Sequence, residues 1–160
     1  MALTLKYKNP TFDHIIDNIY LGDIDVNETN LLVENSIKIV INISNSRYKE
    51  NNNISYFHFD IDDNKNENVG QFFDKFNEII SNNKNKNIFI HCMNSVSRSV
   101  TLVLYYLMYF HKMTLANAFN YIKSKRTQYT KPNNGFIKQL LNCELELYLE
   151  NSMKLADFYK

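Results

Sequence analysis

The chain of 160 residues is long enough for one domain with a sizeable buried core. Its hydrophobic content of 44%, with 11 Phe and 11 Tyr, excludes a largely disordered chain. The net charge of +1 gives no general attraction to nucleic acid or anionic membranes, and no apolar run has the length of a membrane span. We therefore expect one domain over residues 1–160 that has no nucleic-acid partner and does not insert into a membrane.

The two cysteines, Cys92 and Cys143, are too few for a disulfide framework or a zinc site. The first residues lack the apolar region of a signal peptide. We therefore expect a reducing, intracellular location in the cytoplasm, with the nucleus also accessible.

Apolar and β-branched runs predict strands, and apolar residues at helical spacing predict helices. After a polar lead-in, the predicted strands cover residues 13–22 (as a strand or hairpin), 37–43, 54–59 and the apolar run that starts at residue 87. The predicted helices cover residues 27–35, 69–82, 99–112, 114–125 and 136–150. An acidic, irregular loop is expected at residues 60–68, and a turn at residues 132–135.

Two of these helices carry detailed expectations. Helix 27–35 should bury one apolar face and begin at a polar cap. Its expected inward residues are Leu31, Leu32 and Val33, and its expected cap is Asp25 or Asn27. Helix 99–112 is apolar on nearly every side, so it should be buried.

The alternation of strands and helices predicts an α/β fold with a central, mostly parallel sheet and helices on both faces. Ligands of such folds bind beyond the carboxyl ends of the strands. The polar loop from Cys92 to Arg98, between the run that starts at residue 87 and the buried helix, lies at that edge.

This loop combines an anion site with a nucleophile. The N-terminus of the following helix offers free backbone N–H groups to an anion, and the planar fork of Arg98 matches two oxygens of a phosphate. The same positive groups would hold Cys92 as a thiolate, which is the nucleophilic form. The sequence therefore predicts attack of Cys92 on a phosphate monoester.

The leaving group of such a reaction needs a carboxylic acid on a facing loop, and the later hydrolysis needs the same group as a base. The acidic loop 60–68 supplies three candidates, of which we prefer Asp63; Asp60 and Asp62 fit the spacing nearly as well. Ser99 is expected to hydrogen-bond the Cys92 sulfur and assist its departure, and His91 to hold the loop through its backbone. The chemistry needs no metal and no organic cofactor.

The motif His91-Cys92-x5-Arg98-Ser99 resembles the signature of cysteine-dependent protein phosphatases. Four further stretches are similar to the dual-specificity (VH1-like) branch of that family. They are residues 16–22, residues 37–44, residues 56–73, which select Asp63 over Asp62, and residues 132–136 with the helix that follows. The resemblance covers about residues 13–148, which leaves residues 149–160 as a C-terminal extension.

The resemblance implies the cysteine-phosphatase fold of the dual-specificity type. It also implies hydrolysis of phosphotyrosine and phosphoserine or phosphothreonine in proteins, through a phosphocysteine intermediate. The expected catalytic residues are Cys92, Arg98, Asp63 and Ser99. The residues expected to bind the substrate are Met93, Asn94, Ser95, Val96, Ser97 and Arg98, and His91 and Asn134 are expected to support the loop.

Ser95 departs from the family, which usually has Gly at this place, although the similar loop of rhodanese-like cell-cycle phosphatases also carries Ser. A Cβ here is expected to strain the loop by on the order of 1 kcal/mol. One alternative is therefore a weak or inactive, phospho-binding pseudophosphatase. Another alternative is a phosphatase of phosphoinositides or RNA 5′-triphosphates. The absence of Lys from the loop argues against the lipid substrate, and the near-zero net charge argues against the RNA substrate.

Three details are less specific. Cys143 is expected to be a partly buried helix residue, and Asn134 either steadies a loop of the site or only forms a turn. Residues 149–160 form a frayed helix or a contact surface, and the sequence does not decide between them or give the oligomeric state.

Overall fold

The computed structural model describes residues 9–160, so most of the polar lead-in lies outside the described residues. The strands are β1 (Phe12–Ile16), β2 (Ile19–Gly22), β3 (Ile37–Asn42), β4 (Ser55–His58) and β5 (Asn87–His91). The α-helices are α1 (Leu31–Glu34), α2 (Phe73–Asn82), α3 (Arg98–His111), α4 (Leu115–Lys125) and α5 (Asn134–Tyr148). Short 3-10 helices cover Ile24–Glu28, Val69–Phe72 and Leu155–Tyr159.

The five strands form one sheet in the order β1-β2-β5-β3-β4. The β1–β2 hairpin is antiparallel, and the other neighbours pair in parallel. The prediction of a mostly parallel sheet flanked by helices is thus confirmed. Because β5 lies between β2 and β3, its carboxyl end, at His91, opens at the middle of the sheet edge.

Apolar residues cover both faces of the sheet. The larger core lies under helices α2 to α5 and includes Ile41, Phe76 and Leu104. The smaller core, which includes Val26 and Leu32, lies under α1 and the 3-10 helix before it. All ten residues of α3 from 99 to 108 are buried, as its apolar composition predicted.

The predicted helix 27–35 is wrong in extent. Only Leu31–Glu34 is α-helical, and the 3-10 helix before it is capped by Asp23 instead of Asp25 or Asn27. The side chain of Thr29 binds the carbonyl of Val26 and the amide of Leu31, which separates the two short helices. Val33, predicted to face inward, is 64% exposed.

The predicted turn at 132–135 is wrong in its second half. Helix α5 already begins at Asn134, because the side chain of Asn133 caps it by accepting a hydrogen bond from the Phe136 amide at 2.9 Å. Gly135, in the first turn of α5, lies against the acidic loop so closely that a Cβ there would be 1.8 Å from the carbonyl oxygen of Lys65.

The C-terminal extension packs on the domain and is not a frayed continuation of α5. The helix ends at Tyr148, the capping residue Leu149 is left-handed with φ 63°, and the chain then turns back. Ser152 donates to the buried carboxylate of Glu144 at 2.5 Å. Phe158 is 3% exposed, with its ring 4.6 Å from that of Phe119. In the part of the chain that the structure describes, no helix is both long and apolar enough to cross a membrane.

Candidate active site

The loop between β5 and α3 places the thiol at the bottom of a backbone ring. Cys92 is buried, and its Sγ lies 3.1 Å from the hydroxyl oxygen of Ser99 in the first turn of α3. Asn94 is exposed and Met93 is half-buried at the rim. The Met93 sulfur accepts a hydrogen bond from the hydroxyl of Ser46 at 3.0 Å.

The carbonyl groups from Cys92 to Ser97 all bind partners outside the loop. Cys92 O binds His91 Nδ1 (2.9 Å), Met93 O binds the Ile24 amide (3.1 Å), Asn94 O binds Gln128 Nε2 (2.8 Å), Ser95 O binds Arg126 Nη2 (3.0 Å), Val96 O binds the Lys131 amide (3.0 Å), and Ser97 O binds the Thr101 amide (2.9 Å). Among residues 9–160, no backbone amide from 93 to 99 donates to a protein acceptor. The loop therefore keeps its N–H groups for an anion.

Arg98, at the start of α3, completes this anion cradle. Its Nη1 donates to the carbonyl of Ile61 at 2.9 Å, which connects the acidic loop to the cradle. Its Nε is buried and has no hydrogen-bond partner within the described chain. An orphaned buried donor carries a free-energy cost that a bound phosphate oxygen would remove.

His91 is fully buried behind the loop and joins it to a tyrosine. Its Nδ1 lies 2.9 Å from the carbonyl oxygen of Cys92, and its Nε2 lies 2.6 Å from the hydroxyl of Tyr48 and 3.3 Å from Asn27 Nδ2. Burial is the main cause that lowers the pKa of His91 to about 4. The ring is thus neutral near pH 7, with Nδ1–H donating to the carbonyl and Nε2 accepting from Tyr48.

Tyr48 was missed in the sequence analysis. It lies in the polar loop after β3, and 11 tyrosines in the chain leave it without a distinguishing pattern. Burial raises its pKa well above the ordinary value, so it stays a neutral hydrogen-bond donor to His91.

The three candidate acids have different partners. Asp60 pairs with Arg47 at 2.5 Å, and Asp62 accepts from Asn45 Nδ2 at 2.5 Å, so both are bound to the loop after β3. Asp63 instead accepts from Asn133 Nδ2 at 2.9 Å. Its exposed carboxylate lines an open cavity of about 530 Å³.

Asn133, not Asn134, reaches the acidic loop. The Asn134 side chain, which the sequence analysis expected to support a loop of the site, accepts instead from the hydroxyl of Tyr159 in the C-terminal extension. Tyr159 and Lys131 line the same cavity as Asp63.

Residues 126–133, which we call the strap, run along the outer side of the cradle. Besides the contacts of Arg126, Gln128 and Lys131 given above, the Asn133 amide donates to the hydroxyl of Ser97 at 2.8 Å. No local pattern in the sequence points to the strap, because its contacts reach residues about thirty positions away. Cys143 lies apart on α5, where burial raises its pKa to about 11.

Comparisons with known proteins identify the family of the chain. The family described as "Dual specificity phosphatase, catalytic domain" matches residues 19–146. Dual specificity protein phosphatase 21 of Homo sapiens is 32% identical over 154 residues, covering 92% of this chain and 79% of the relative. A probable dual specificity protein phosphatase of Dictyostelium discoideum is 37% identical over 159 residues, covering 89% and 67%.

Solved structures share the fold. The human tyrosine phosphatase-like serine/threonine/tyrosine-interacting protein has a TM-score of 0.79 at 26% identity and covers 87% of this chain and 98% of its own. Human DUSP28 has a TM-score of 0.79 at 20% identity, with coverage of 85% and 94%. The predicted cysteine-phosphatase fold of the dual-specificity type is therefore confirmed. The chain carries a dual specificity phosphatase catalytic domain and belongs to that family.

Proposed function

We propose that the protein hydrolyses phosphotyrosine and phosphoserine or phosphothreonine in proteins, through a phosphocysteine intermediate. The observation that carries the proposal is that every carbonyl from Cys92 to Ser97 binds a partner outside the loop, which leaves the N–H groups of the loop available beside a buried thiol. Such preorganised donors stabilise the charge that develops on phosphate oxygens.

In the first step, the Cys92 thiolate attacks phosphorus, a sulfur–phosphorus bond forms and the bond to the leaving oxygen breaks. Arg98 and the loop amides hold the phosphate oxygens. Asp63, as the carboxylic acid, donates its proton to the leaving oxygen. Asp63 suits this role better than Asp60 or Asp62, because its partner Asn133 belongs to the strap beside the cradle, whereas Asp60 and Asp62 are bound to Arg47 and Asn45 of the loop after β3.

In the second step, the Asp63 carboxylate takes a proton from a water molecule whose oxygen attacks phosphorus. The sulfur–phosphorus bond breaks and inorganic phosphate is released. The Ser99 hydroxyl, 3.1 Å from the sulfur, donates a hydrogen bond to the departing thiolate. The neutral His91 ring keeps the Cys92 carbonyl directed away from the phosphate. A reducing compartment such as the cytoplasm would preserve the thiol.

The test compares the wild type with Cys92→Ser on an aryl phosphate and on phosphotyrosine and phosphothreonine peptides. We expect turnover that Cys92→Ser abolishes and that the matched control Cys143→Ser retains. Turnover that survives in Cys92→Ser would refute the mechanism. Binding of phosphopeptides without turnover in the wild type would favour the pseudophosphatase alternative, which the Ser95 substitution raises.

A substrate panel tests the class of substrate. It compares phosphopeptides with phosphoinositide vesicles and with RNA carrying a 5′-triphosphate at equal concentrations. We expect the highest kcat/KM on phosphopeptides, because the cradle contains no Lys and the chain has a net charge of only +1. A clear preference for the lipid or the RNA would overturn the proposal of a protein substrate.

A further inference from the structure

Ser95 occupies the most constrained position of the cradle. It is fully buried, and its φ of 57° lies in the left-handed region. A residue with a Cβ disfavours this conformation, whereas Gly adopts it freely. Something outside the loop must therefore hold Ser95 in place.

Arg126 of the strap makes that contact. Its Nη1 donates to the hydroxyl oxygen of Ser95 at 2.9 Å, and its Nη2 donates to the carbonyl oxygen of the same residue at 3.0 Å. Two nitrogens of the guanidinium thus bind the side chain and the backbone of Ser95. Gln128 adds a second donor to the Ser95 carbonyl at 3.1 Å.

Asp13 of β1 orients Arg126 from the other side. Its Oδ2 lies 3.2 Å from Arg126 Nε, and the two side chains are only 5% and 1% exposed. Burying a guanidinium is costly unless a charge partner and hydrogen-bond acceptors compensate for the lost water. The charge of Arg126 is largely balanced by Asp13, so its contribution to the cradle is chiefly geometric.

We propose that Arg126, oriented by Asp13, is a positioning residue that holds Ser95 left-handed and thereby aims the adjoining amides at the phosphate. The inference rests on the proposed function, since it assigns Arg126 a part in the same phosphate cradle. Ser then replaces Gly at this position without loss of the loop geometry, because its hydroxyl gains a partner that Gly lacks. Lys could not replace Arg126, because an ammonium group does not span both oxygens and the carboxylate.

The first experiment compares Ser95→Ala with Ser95→Gly. Ala keeps the Cβ and loses the hydroxyl, whereas Gly loses both. Phosphate binding is measured as protection of Cys92 from iodoacetate by inorganic phosphate, and catalysis as KM and kcat on an aryl phosphate.

We expect Ser95→Ala to weaken phosphate protection and to lower kcat/KM by about tenfold, the loss that a charge-assisted hydrogen bond of typical strength implies. Ser95→Gly, which has no Cβ to disfavour the left-handed backbone, should lose less of both than Ser95→Ala. The proposal would be overturned if Ser95→Ala bound inorganic phosphate as tightly as the wild type. It would also be overturned if Ser95→Gly bound phosphate more weakly than Ser95→Ala.

The second experiment is a double-mutant cycle with Arg126→Lys, which keeps a cation beside Asp13 and removes the fork. Arg126→Lys should lower phosphate protection about tenfold when residue 95 is Ser and less than about threefold in the Ser95→Gly background. Equal losses in both backgrounds would show that Arg126 does not act through Ser95 and would overturn the proposal. If Arg126→Lys fails to fold, the comparison of Ser95→Ala with Ser95→Gly decides alone.

The two proposals fail in different ways. Absence of turnover by the wild type would refute the proposed hydrolysis, but phosphate protection of Cys92 would still rank the Ser95 and Arg126 variants. Normal turnover by the wild type, together with unchanged phosphate protection and kcat/KM in Ser95→Ala, would refute only the role of Arg126.

Discussion

The buried His91 ring should make the protein lose stability in mild acid. Its pKa falls from 6.5 to about 4 on folding, so as the pH drops the unfolded chain takes up this proton before the folded one does. Stability then rises with pH between these two values. The contribution of neutral His91 is complete above about pH 6.5 and is lost as the pH approaches 4. One pKa unit corresponds to about 1.4 kcal/mol, so the full loss is about 3 kcal/mol.

The assay is urea unfolding, followed by circular dichroism, at about pH 7.5 and about pH 5. Between these values His91 should remove about 2 kcal/mol from the free energy of unfolding of the wild type. His91→Asn should lack this component, whatever its stability at neutral pH. The matched control His14→Asn removes an exposed imidazole and should keep the wild-type loss. An equal loss in His91→Asn and the wild type would refute the reasoning.

Three further substitutions probe the acidic loop and the C-terminal extension. Asp63→Asn should lower kcat on alkyl phosphates by about a hundredfold or more, and much less on activated aryl phosphates, because their leaving groups need less protonation. Asp62→Asn is the control, and similar losses of kcat in the two variants would argue against Asp63 as the acid. Gly135→Ala should lower kcat on alkyl phosphates by displacing the acidic loop. Gly70→Ala, whose Cβ would meet no backbone atom and nothing closer than a side-chain oxygen at 3.3 Å, should not, and equal kcat values for the two variants would contradict this. Phe158→Ala should cost about 3–5 kcal/mol in urea unfolding, and a loss under about 1 kcal/mol would mean that the extension is not anchored.

The fold was predictable because its signals are local. β-branched runs such as residues 37–43 and the all-round apolar helix after Arg98 fix the sheet and its buried neighbour. The helix predicted at residues 27–35 was wrong where a single side chain, that of Thr29, intervened. The spacing of apolar residues does not reveal such a local hydrogen bond.

The site was predictable only in part. Cys92 and Arg98 are separated by five residues between a strand and a helix, so this spacing together with the flanking residues points to both, whereas the choice of Asp63 over Asp62 relied on family resemblance. The partners that separate it from Asp62, namely Asn133 and Asn45, lie on two different loops. Tyr48 binds His91 and Arg126 binds Ser95 across long stretches of chain, and no sequence pattern marks such pairings.

The fold-back of the C-terminal extension decides where the chain leaves the domain. Phe158 is buried against Phe119, and the next residue, Tyr159, borders the cavity that Asp63 lines. Any polypeptide joined after Lys160, such as an affinity tag or a fusion partner, would therefore emerge beside this cavity and the Asp63 carboxylate. Kinetic comparisons should accordingly use protein without an appendage at this end.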